Sequence, residues 1–404
     1  MKILLFLIAA ISAQAASDTP ESAAVYALQH NPELAAAHFA IAEAEGRLIQ
    51  AGLWSNPEFE ALGESETHTQ SGNRRVEISL MQKFPLAGRL AKARAVARVD
   101  VAMAVEEFRN QQRLLAGNVL TQGRSILLLD RRIAVHGSQI ALLDRILEQT
   151  TALASAGTGD TTEIGVVQLE KTTLALQRQA QILARESALD ALRGALGLEP
   201  GTPLTITGSL PVLPKSFSVE INRPDLQLTL LQANKSAAEQ RLARVEKWED
   251  LSVGLAATRE RDDGMYDNMV GLKFGVPLPL WNRNQGRLAE LRAAGERAQT
   301  QITSRRLAIA TEIREAQTRA LGLTEILRQL NGTAQTQARQ NTERIEQSVA
   351  SGTGTFVTIY ESRRQHLNLA LTSLETEMQL ASALTDWETR TGHFPESVRT
   401  ALKN

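Results

Sequence analysis

The sequence has no cysteine, few aromatic residues and no excess of either charge. Only 4% of its 404 residues are aromatic, and 44 Lys and Arg residues stand against 45 Asp and Glu residues. The absence of cysteine excludes disulfides, thiol chemistry and lipid attachment to an N-terminal cysteine. The balanced charge gives no electrostatic reason to expect a nucleic-acid partner, so we predict none.

Long apolar runs are also missing, apart from one at the N-terminus. Met1 and Lys2 are followed by an apolar stretch from Ile3 to Ile11 and then by small residues that end in an A-x-A site. This is the pattern of a secretory signal peptide, which we predict over residues 1–15. No later run approaches the length of about 18 apolar residues that a transmembrane helix needs. The sequence therefore predicts an exported protein without a helical membrane anchor.

Proline is absent from two long stretches, between Pro85 and Pro200 and between Pro279 and Pro395. Because proline breaks helix interiors, both stretches permit very long helices. Apolar residues recur in them every seven positions, which is the spacing of coiled-coil packing. These residues are Val119, Ile126, Ile133, Ile140 and Leu147, then Leu176 and Leu183, then Ile182, Leu189 and Leu196, and finally Leu367 and Leu374.

Each proline-free stretch is interrupted once by a Gly-Thr-Gly sequence, at residues 157–159 and 352–354. Glycines in this position end one helix and turn the chain. We therefore predict two helical hairpins, over residues 87–198 and 286–392. In each hairpin the first arm has about 70 residues and the second about 40, or roughly 100 Å and 60 Å at 1.5 Å per residue.

Short motifs recur in the same order in the two halves of the chain. Asn31-Pro32-Glu33-Leu34 is echoed by Arg223-Pro224-Asp225-Leu226, and Phe84-Pro85-Leu86 by Leu278-Pro279-Leu280. Self-similarity at a fixed spacing indicates a repeat architecture. We predict a first repeat over residues 16–215, which begins with short helices, and a second over residues 216–404, which begins with a helix over residues 224–247.

Between the short and the long helices of each half, apolar and polar residues alternate with the period of a β-strand. The predicted strands span residues 57–68 and 75–84 in the first repeat, and 249–260 and 268–277 in the second. Strands of about ten residues have the length that crosses a membrane. Four strands cannot close a barrel, and open edges are not tolerated in lipid, so several copies must combine.

The first predicted strand places four carboxylates on one face: Glu58, Glu60, Glu64 and Glu66. In several copies they would line a lumen and attract cations by focusing the electric field. The alternative is a polar face that water simply wets.

Four aromatic residues lie at the helix-side ends of the strands: Trp54, Phe84, Trp248 and Trp281. This placement is typical of the aromatic girdle at a membrane interface. The alternative is that these rings anchor the core where helix meets strand.

No arrangement of catalytic residues is apparent in the sequence. The six histidines are scattered, without the paired spacing of metal ligands. The first Gly-Thr-Gly sequence lacks the Gly-Lys-Ser/Thr that completes a phosphate-binding loop. We expect no enzyme activity, no cofactor and no resident metal.

The motifs resemble a known family, the outer-membrane efflux proteins of the TolC type, over essentially the whole mature chain. The resemblance is carried by residues 31–34, 51–57, 85–89, 223–226 and 276–286. The last of these segments, Val276-Pro277-Leu278-Pro279-Leu280-Trp281-Asn282-Arg283-Asn284-Gln285-Gly286, is most similar to the branch that serves heavy-metal cation efflux, the CzcC-like branch.

The resemblance implies a homotrimer in the outer membrane of a Gram-negative cell. Its twelve-stranded β-barrel would contact outer-membrane lipid and continue into a periplasmic α-helical barrel. The implied partners are a periplasmic adaptor protein and an inner-membrane RND pump. In this family the hairpin tips close the tunnel and meet the adaptor. The matching positions here are Gly157, Thr158, Gly159, Asp160, Gly352, Thr353, Gly354 and Thr355.

The second tip departs from the pattern of many relatives, which carry acidic residues just after it. Here the first such position is Thr358, and Glu361 supplies a carboxylate one turn later. Asp160 and Glu163, at the first tip, are the other candidates for the periplasmic constriction.

The resulting hypothesis is a passive exit duct for heavy-metal cations, with energy supplied by a partner pump. Drug efflux and type I protein secretion stay open as alternative tasks for such a duct. A periplasmic coiled-coil scaffold or adaptor that never enters lipid is a further alternative. Four alternating segments of membrane-spanning length favour the duct, because an adaptor has no need of them.

Overall fold

The structure, a computed structural model, covers most of the chain. It describes residues 17–65, 74–155, 161–211, 213–214, 217, 223–262, 265–351 and 356–403. The predicted signal peptide over residues 1–15 lies outside this part. Across the described ranges, no helix combines the length and the hydropathy that a transmembrane span requires. The predicted fold class, mainly helical with a small β part, is confirmed.

Helices and strands follow one another in a similar order in the two halves. The first half contains β1 (Ser17–Asp18), α1 (Pro20–His30), α2 (Pro32–Gln50), β2 (Glu58–Ser65), β3 (Arg74–Phe84), α3 (Arg89–Ser155), α4 (Thr161–Leu196) and β4 (Thr205–Ile206). The second contains α5 (Pro224–Glu246), β5 (Leu251–Asp262), β6 (Met265–Gly275), α6 (Gln285–Gln329), a π-helical segment (Leu330–Ala334), α7 (Gln335–Ala350), α8 (Phe356–Thr391) and α9 (Glu396–Ala401).

The long helices have the lengths that the proline-free stretches predict. Helix α3 has 67 residues and α4 has 36. In the second half the helical run over residues 285–350 is continuous except for its five-residue π-helical segment, and α8 again has 36 residues. Uninterrupted helix-forming sequence explains these lengths, because no proline breaks either run.

The recurring Pro-containing motif starts a helix in both halves, but by different contacts. Asn31 Oδ1 accepts a hydrogen bond from the backbone N–H of Leu34 at 2.8 Å, which caps α2. Asn31 Nδ2 also donates to the carbonyl of Ala195 at 2.8 Å and ties α2 to the end of α4. At the equivalent position Arg223 instead pairs with Glu312, with 2.6 Å between Nη1 and Oε2.

Contacts divide the chain into two compact units that do not coincide with the two predicted repeats. The first, which we call the helical unit, comprises the described parts of residues 1–35, 109–223 and 308–404. The second, the sheet unit, comprises the described parts of residues 36–108 and 224–307. Each unit draws on both halves, because elements of one half pack against elements of the other. The repeat boundaries themselves stay a prediction.

Small and branched apolar side chains form the main core of the helical unit. They come from α1, α3, α4 and α9, with Ile206 of β4 and Phe394, which precedes α9. The core residues are Ala23, Ala24, Ala27, Ala116, Val119, Leu120, Ile126, Leu127, Leu189, Leu192, Leu196, Ile206, Phe394 and Val398. Val119, Ile126, Leu189 and Leu196 belong to the predicted seven-residue repeats, so these stripes pack inside the chain.

A four-stranded antiparallel sheet in the order β2-β3-β5-β6 forms the β part of the sheet unit. Its two hairpins are joined by the pairing of β3 with β5, which aligns Leu80 with Leu255. Helix contacts lie at the ends of the strands. Arg94 donates from Nη2 to the carbonyl of Gly52 at 3.1 Å. A Cβ at Gly52 would lie 1.9 Å from Arg94 Nε, so a larger residue there would displace the Arg94 side chain.

Candidate functional site

One face of the sheet is apolar along most of its length. Strand register aligns side chains in rows across all four strands, because directly paired residues share a face. One row is Phe59, Leu80, Leu255 and Leu272, and the next is Ala61, Ile78, Ala257 and Val270. Most of these side chains are exposed, Val270 to 83%. A continuous exposed apolar face indicates a surface that something else must cover.

The opposite face is polar and carries more acidic than basic side chains. Since successive strand residues point to opposite faces, the register assigns every charged residue to a side. Among strand residues with described side chains, this face has six carboxylates and three basic groups. They are Glu58, Glu60, Glu64, Glu77, Glu260 and Asp267, against Arg75, Lys83 and Lys273.

Three of the four carboxylates predicted on the first strand lie on this polar face, and Glu66 lies outside the described residues. Glu58 is paired with Lys83, whose Nζ lies 2.5 Å from Oε1. Glu60 and Glu64 form no ion pair within the described ranges. Their role in attracting cations stays a prediction, but the structure distinguishes two carboxylates without an ion pair from one that is paired with Lys83.

Glu77, on the polar side of β3, was not among the carboxylates predicted to line the lumen, and strand pairing places it on the same face as they are. Its carboxylate forms ion pairs with Arg75, at 2.9 Å, and with Lys273 of β6. Glu260 and Asp267 were likewise not singled out, and the register places them in one row with Glu64. Only strand pairing brings these residues together, because they come from different halves of the sequence.

The strands at the two sides of the described sheet, β2 and β6, each pair with one neighbour only. Their outer edges therefore present backbone N–H and C=O groups without a strand partner in this part of the chain. Such edges are tolerated in lipid only when another strand completes them.

The four predicted interface aromatics lie where strands and helices meet. Trp54 follows α2, Trp248 follows α5, Phe84 ends β3 and Trp281 precedes α6. Trp54 and Phe84 contact each other edge to face, with 5.6 Å between ring centroids. Trp281 is 86% exposed, which argues against core anchoring for this residue. Their position at a membrane interface stays a prediction.

The segment most similar to the metal-efflux branch forms the turn that leads into α6. Asn284 has a positive φ of 58° and donates from Nδ2 to the carbonyl of Ala243 at 3.1 Å. Asn282 Oδ1 accepts from the Asn284 N–H at 3.1 Å, and Gln285 Oε1 accepts from the Arg283 N–H at 2.8 Å. These local bonds explain why amide side chains occur together here: they shape the turn.

Both hairpin tips fall between described helices, after Ser155 and before Phe356 respectively. The eight tip residues predicted to dock an adaptor, 157–160 and 352–355, lie outside the described residues. Of the constriction candidates, Asp160 is also outside, and Glu163 is described only as part of the α4 backbone. Thr358 is exposed, and Glu361 is paired with Arg364 at 2.9 Å within α8.

A buried cluster near the tips was not anticipated from the sequence. Tyr360 of α8 packs with Leu143 and Ile146 of α3 and with Val167 and Leu174 of α4. Burial raises the pKa of Tyr360, and the nearby carboxylate of Glu170 raises it further. Tyr360 therefore stays neutral at physiological pH and joins the last helix to the first hairpin.

An exposed stripe of leucines runs along α4. Leu169, Leu176 and Leu183 recur every seven residues and are 70%, 68% and 63% exposed. Leu176 and Leu183 belong to the predicted coiled-coil repeat, yet they do not enter the core of their own chain. This pattern is typical of a helix seam whose partner lies outside the chain.

Within the described ranges no group of three or more His, Cys, Asp or Glu side chains is arranged to hold a metal ion.

Comparison with known proteins gives a family match, a relative and several similar structures. Residues 24–197 match the family described as Outer membrane efflux protein. The cobalt-zinc-cadmium resistance protein CzcC of Cupriavidus metallidurans is 24% identical over 305 residues, which cover 73% of this chain and 71% of that protein. The outer membrane channel CmeC of Campylobacter jejuni superposes with a TM-score of 0.74 at 14% identity, covering 92% of this chain and 85% of that one. For the outer membrane protein VceC of Vibrio cholerae the TM-score is 0.77 at 16% identity, covering 92% and 96%.

Fold and matches agree with each other. The resemblance predicted from the sequence is confirmed: the chain has the fold of the TolC-type outer-membrane channels and matches the outer membrane efflux protein family. The matched family and channels are not enzymes. Within the class, the similarity extends to CzcC, whose name describes resistance to cobalt, zinc and cadmium.

Proposed function

We propose that this chain is the outer-membrane exit duct of a tripartite RND-type efflux system. The observation that carries the proposal is the two-faced sheet with open edges at β2 and β6. Its apolar face requires lipid and its edges require further strands, whereas its polar face suits a water-filled lumen. The duct performs no catalysis; a periplasmic adaptor connects it to an inner-membrane pump that supplies the energy.

Three copies form the working assembly in this proposal. Four strands from each copy give twelve, an even number that closes a barrel without edges. The leucine stripe of α4 supports the same assembly independently, because Leu169, Leu176 and Leu183 need an apolar partner. An exported precursor, cleaved after residue 15 and carrying no cysteine for lipid attachment, fits the outer membrane of a Gram-negative cell.

Heavy-metal cations are the proposed cargo. The similarity to CzcC supports this choice. So does the excess of carboxylates on the polar face, since a lumen lined by acidic groups raises the local concentration of cations. The duct holds no resident metal, because a conduit must release what it carries.

The hairpin tips complete the proposal at the periplasmic end. Residues 157–160 and 352–355 dock the adaptor, and the constriction is formed by Asp160, Glu163, Thr358 and Glu361. The pairing of Glu361 with Arg364 supports a weakly charged ring at the second tip.

The test begins with the location and assembly of the full-length protein. We expect it in the outer-membrane fraction as an oligomer of three chains that resists heating in detergent. A soluble periplasmic monomer would contradict the duct and favour a scaffold or adaptor. Loss of the gene should then sensitise cells to Zn²⁺, Co²⁺ or Cd²⁺. Sensitivity to organic drugs alone, or loss of a secreted protein, would reassign the cargo.

A further inference from the structure

At the end of the sheet where β3 begins and β5 ends, the otherwise apolar face carries basic side chains. Arg74, Arg259 and Arg261 lie there, followed by Tyr266 on the neighbouring strand. The register pairs Arg74 with Arg261, and Arg261 with Tyr266. All four residues therefore share one side of the sheet, within about two residue pairs of the strand ends.

Two of these arginines pack against the ring of Tyr266. The guanidinium carbon of Arg259 lies 4.4 Å from the centroid of the Tyr266 ring, and that of Arg261 lies 5.5 Å from it. At such distances cation–π attraction fixes the guanidinium planes without neutralising their charge. The tyrosine itself is 54% exposed, so the cluster faces the surroundings of the protein.

Within the described part of the sheet, no acidic side chain lies on the same face as this cluster. Among the described strand residues, every carboxylate of the sheet belongs to the polar face. None of the three arginines forms an ion pair within the described ranges, and the buried Nε of Arg261 has no hydrogen-bond acceptor there. Buried donors are normally bonded, so this Nε lacks the partner that such a group usually has.

Three like charges in one place repel each other unless an anion lies between them. Guanidinium groups bind phosphate oxygens through paired N–H donors, and tyrosine favours the boundary between apolar and wet surroundings. Below the cluster, the rows that contain Leu80 and Ile78 are apolar and suited to acyl chains. The face thus combines a phosphate-binding end with a hydrocarbon-binding surface.

We propose that Arg74, Arg259, Arg261 and Tyr266 bind the phosphorylated headgroups of the lipid in the outer leaflet of the outer membrane. The inference rests on the proposed duct, in which the helices face the periplasm and the strand turns face outward. The occupant is a membrane lipid rather than cargo, because cargo travels along the opposite, acidic face.

The experiment measures lipid retained by the purified full-length oligomer in detergent, by native mass spectrometry. The probes are lipid A carrying both phosphates and the same lipid A with its phosphates removed. We expect preferential retention of the phosphorylated form. Replacing the three arginines by glutamine should lower that retention by about tenfold or more, since several charge-assisted contacts are lost.

The matched control is Arg75→Gln, which removes one positive charge next to Arg74 but on the polar face. It should retain phosphorylated lipid A as the wild type does. Replacing the three arginines by lysine keeps the charge but loses the paired geometry, and should give an intermediate result. Excess inorganic phosphate should not displace the lipid, because the acyl chains on the apolar rows also hold it.

Three results would overturn the inference: equal retention of both forms by the wild type, an equal loss in Arg75→Gln, or displacement by inorganic phosphate. The comparison of the two lipids on the wild type decides the matter even if the triple variant fails to assemble. Failure of the duct proposal is separately visible, because the protein would then form no oligomer in the outer-membrane fraction.

Discussion

Arg124 and Glu388 form a buried, two-pronged ion pair between α3 and α8. Arg124 Nη1 lies 2.6 Å from Glu388 Oε2, and Nη2 lies 3.3 Å from Oε1. The arginine side chain is 2% exposed and also donates to the hydroxyl of Thr385 at 2.6 Å. Because α3 comes from the first half of the chain and α8 from the second, this pair joins the two long hairpins.

Removing one partner of this pair should destabilise the protein strongly. Glu388→Leu leaves the buried charge of Arg124 with only the longer contact to Glu21, 3.4 Å from its Nη2, at a cost of up to about 3–5 kcal/mol. Combining it with Arg124→Met should recover most of the loss. The measurement is the free energy of unfolding or, for the assembled protein, the temperature at which the oligomer dissociates.

The control is a more exposed pair between the same two helices. Arg131 and Glu377 lie 3.2 Å apart, and the Arg131 side chain is 48% exposed. Glu377→Leu should cost only about 0–1 kcal/mol, because water screens such a pair. Similar losses at the two sites would show that burial does not set the strength of the contact.

The pH dependence of stability should carry a contribution from Glu388. Burial raises the pKa of Glu388, against the lowering effect of Arg124, and the neighbouring Glu21 raises it further. A raised folded-state pKa adds stability that is complete below the unfolded carboxyl pKa of about 4.3 and is lost as pH rises through the folded value. The stability of the wild type relative to Glu388→Gln should therefore fall from about pH 4 upward. A constant difference would contradict the shift.

An arginine should destabilise the protein at one position of β6 and be tolerated at the adjacent position. Leu272→Arg places a cation on the apolar face and should cost about 2–4 kcal/mol if that face meets lipid near the bilayer centre. Gly271→Arg places it on the polar face, where an added Cβ meets no atom within 4 Å, and should be tolerated. The yield of heat-resistant oligomer in outer-membrane fractions measures both. Equal tolerance would argue against lipid on the apolar face.

The leucine stripe of α4 should hold copies of the chain together. Replacing Leu169, Leu176 and Leu183 by glutamine removes apolar area that is already exposed within one chain. The fold of the single chain should survive, with an unchanged far-ultraviolet circular dichroism spectrum, whereas the oligomer should dissociate at a lower temperature. Gln177→Ala, on an exposed position of the same helix, serves as control. An unchanged dissociation temperature would show that the stripe does not lie in the interface between copies.

Cation selectivity should depend on the carboxylates of the polar face that are not held in ion pairs. Neutralising Glu60 and Glu64 together should reduce the preference for cations in planar bilayers, because neither carboxylate forms an ion pair in the described structure. Neutralising Glu58 alone should change it little or in the opposite sense, since Lys83 is then released. Unchanged conductance in the double variant would favour the alternative, in which water simply wets the polar face.

Much of this architecture is readable from the sequence. Helices α3 and α4 lie within a few residues of their predicted bounds, because helix-breaking residues and apolar periodicity act over short distances. The alternation that placed Glu58 and Phe59 on opposite faces is equally local. The seven-residue stripe of α4 was readable as well, but not the fact that Leu176 faces away from its own core.

The sequence by itself determined the kinds and lengths of the elements and the two-faced character of each strand. Only the tertiary structure decided which elements meet. Glu388 lies 264 positions from Arg124, and Lys273 lies 196 from Glu77. The pairing of β5 with β3 and with β6 aligns three arginines and a tyrosine at one end of the sheet. Such contacts depend on strand register and helix packing across the whole chain, for which local periodicity carries no signal.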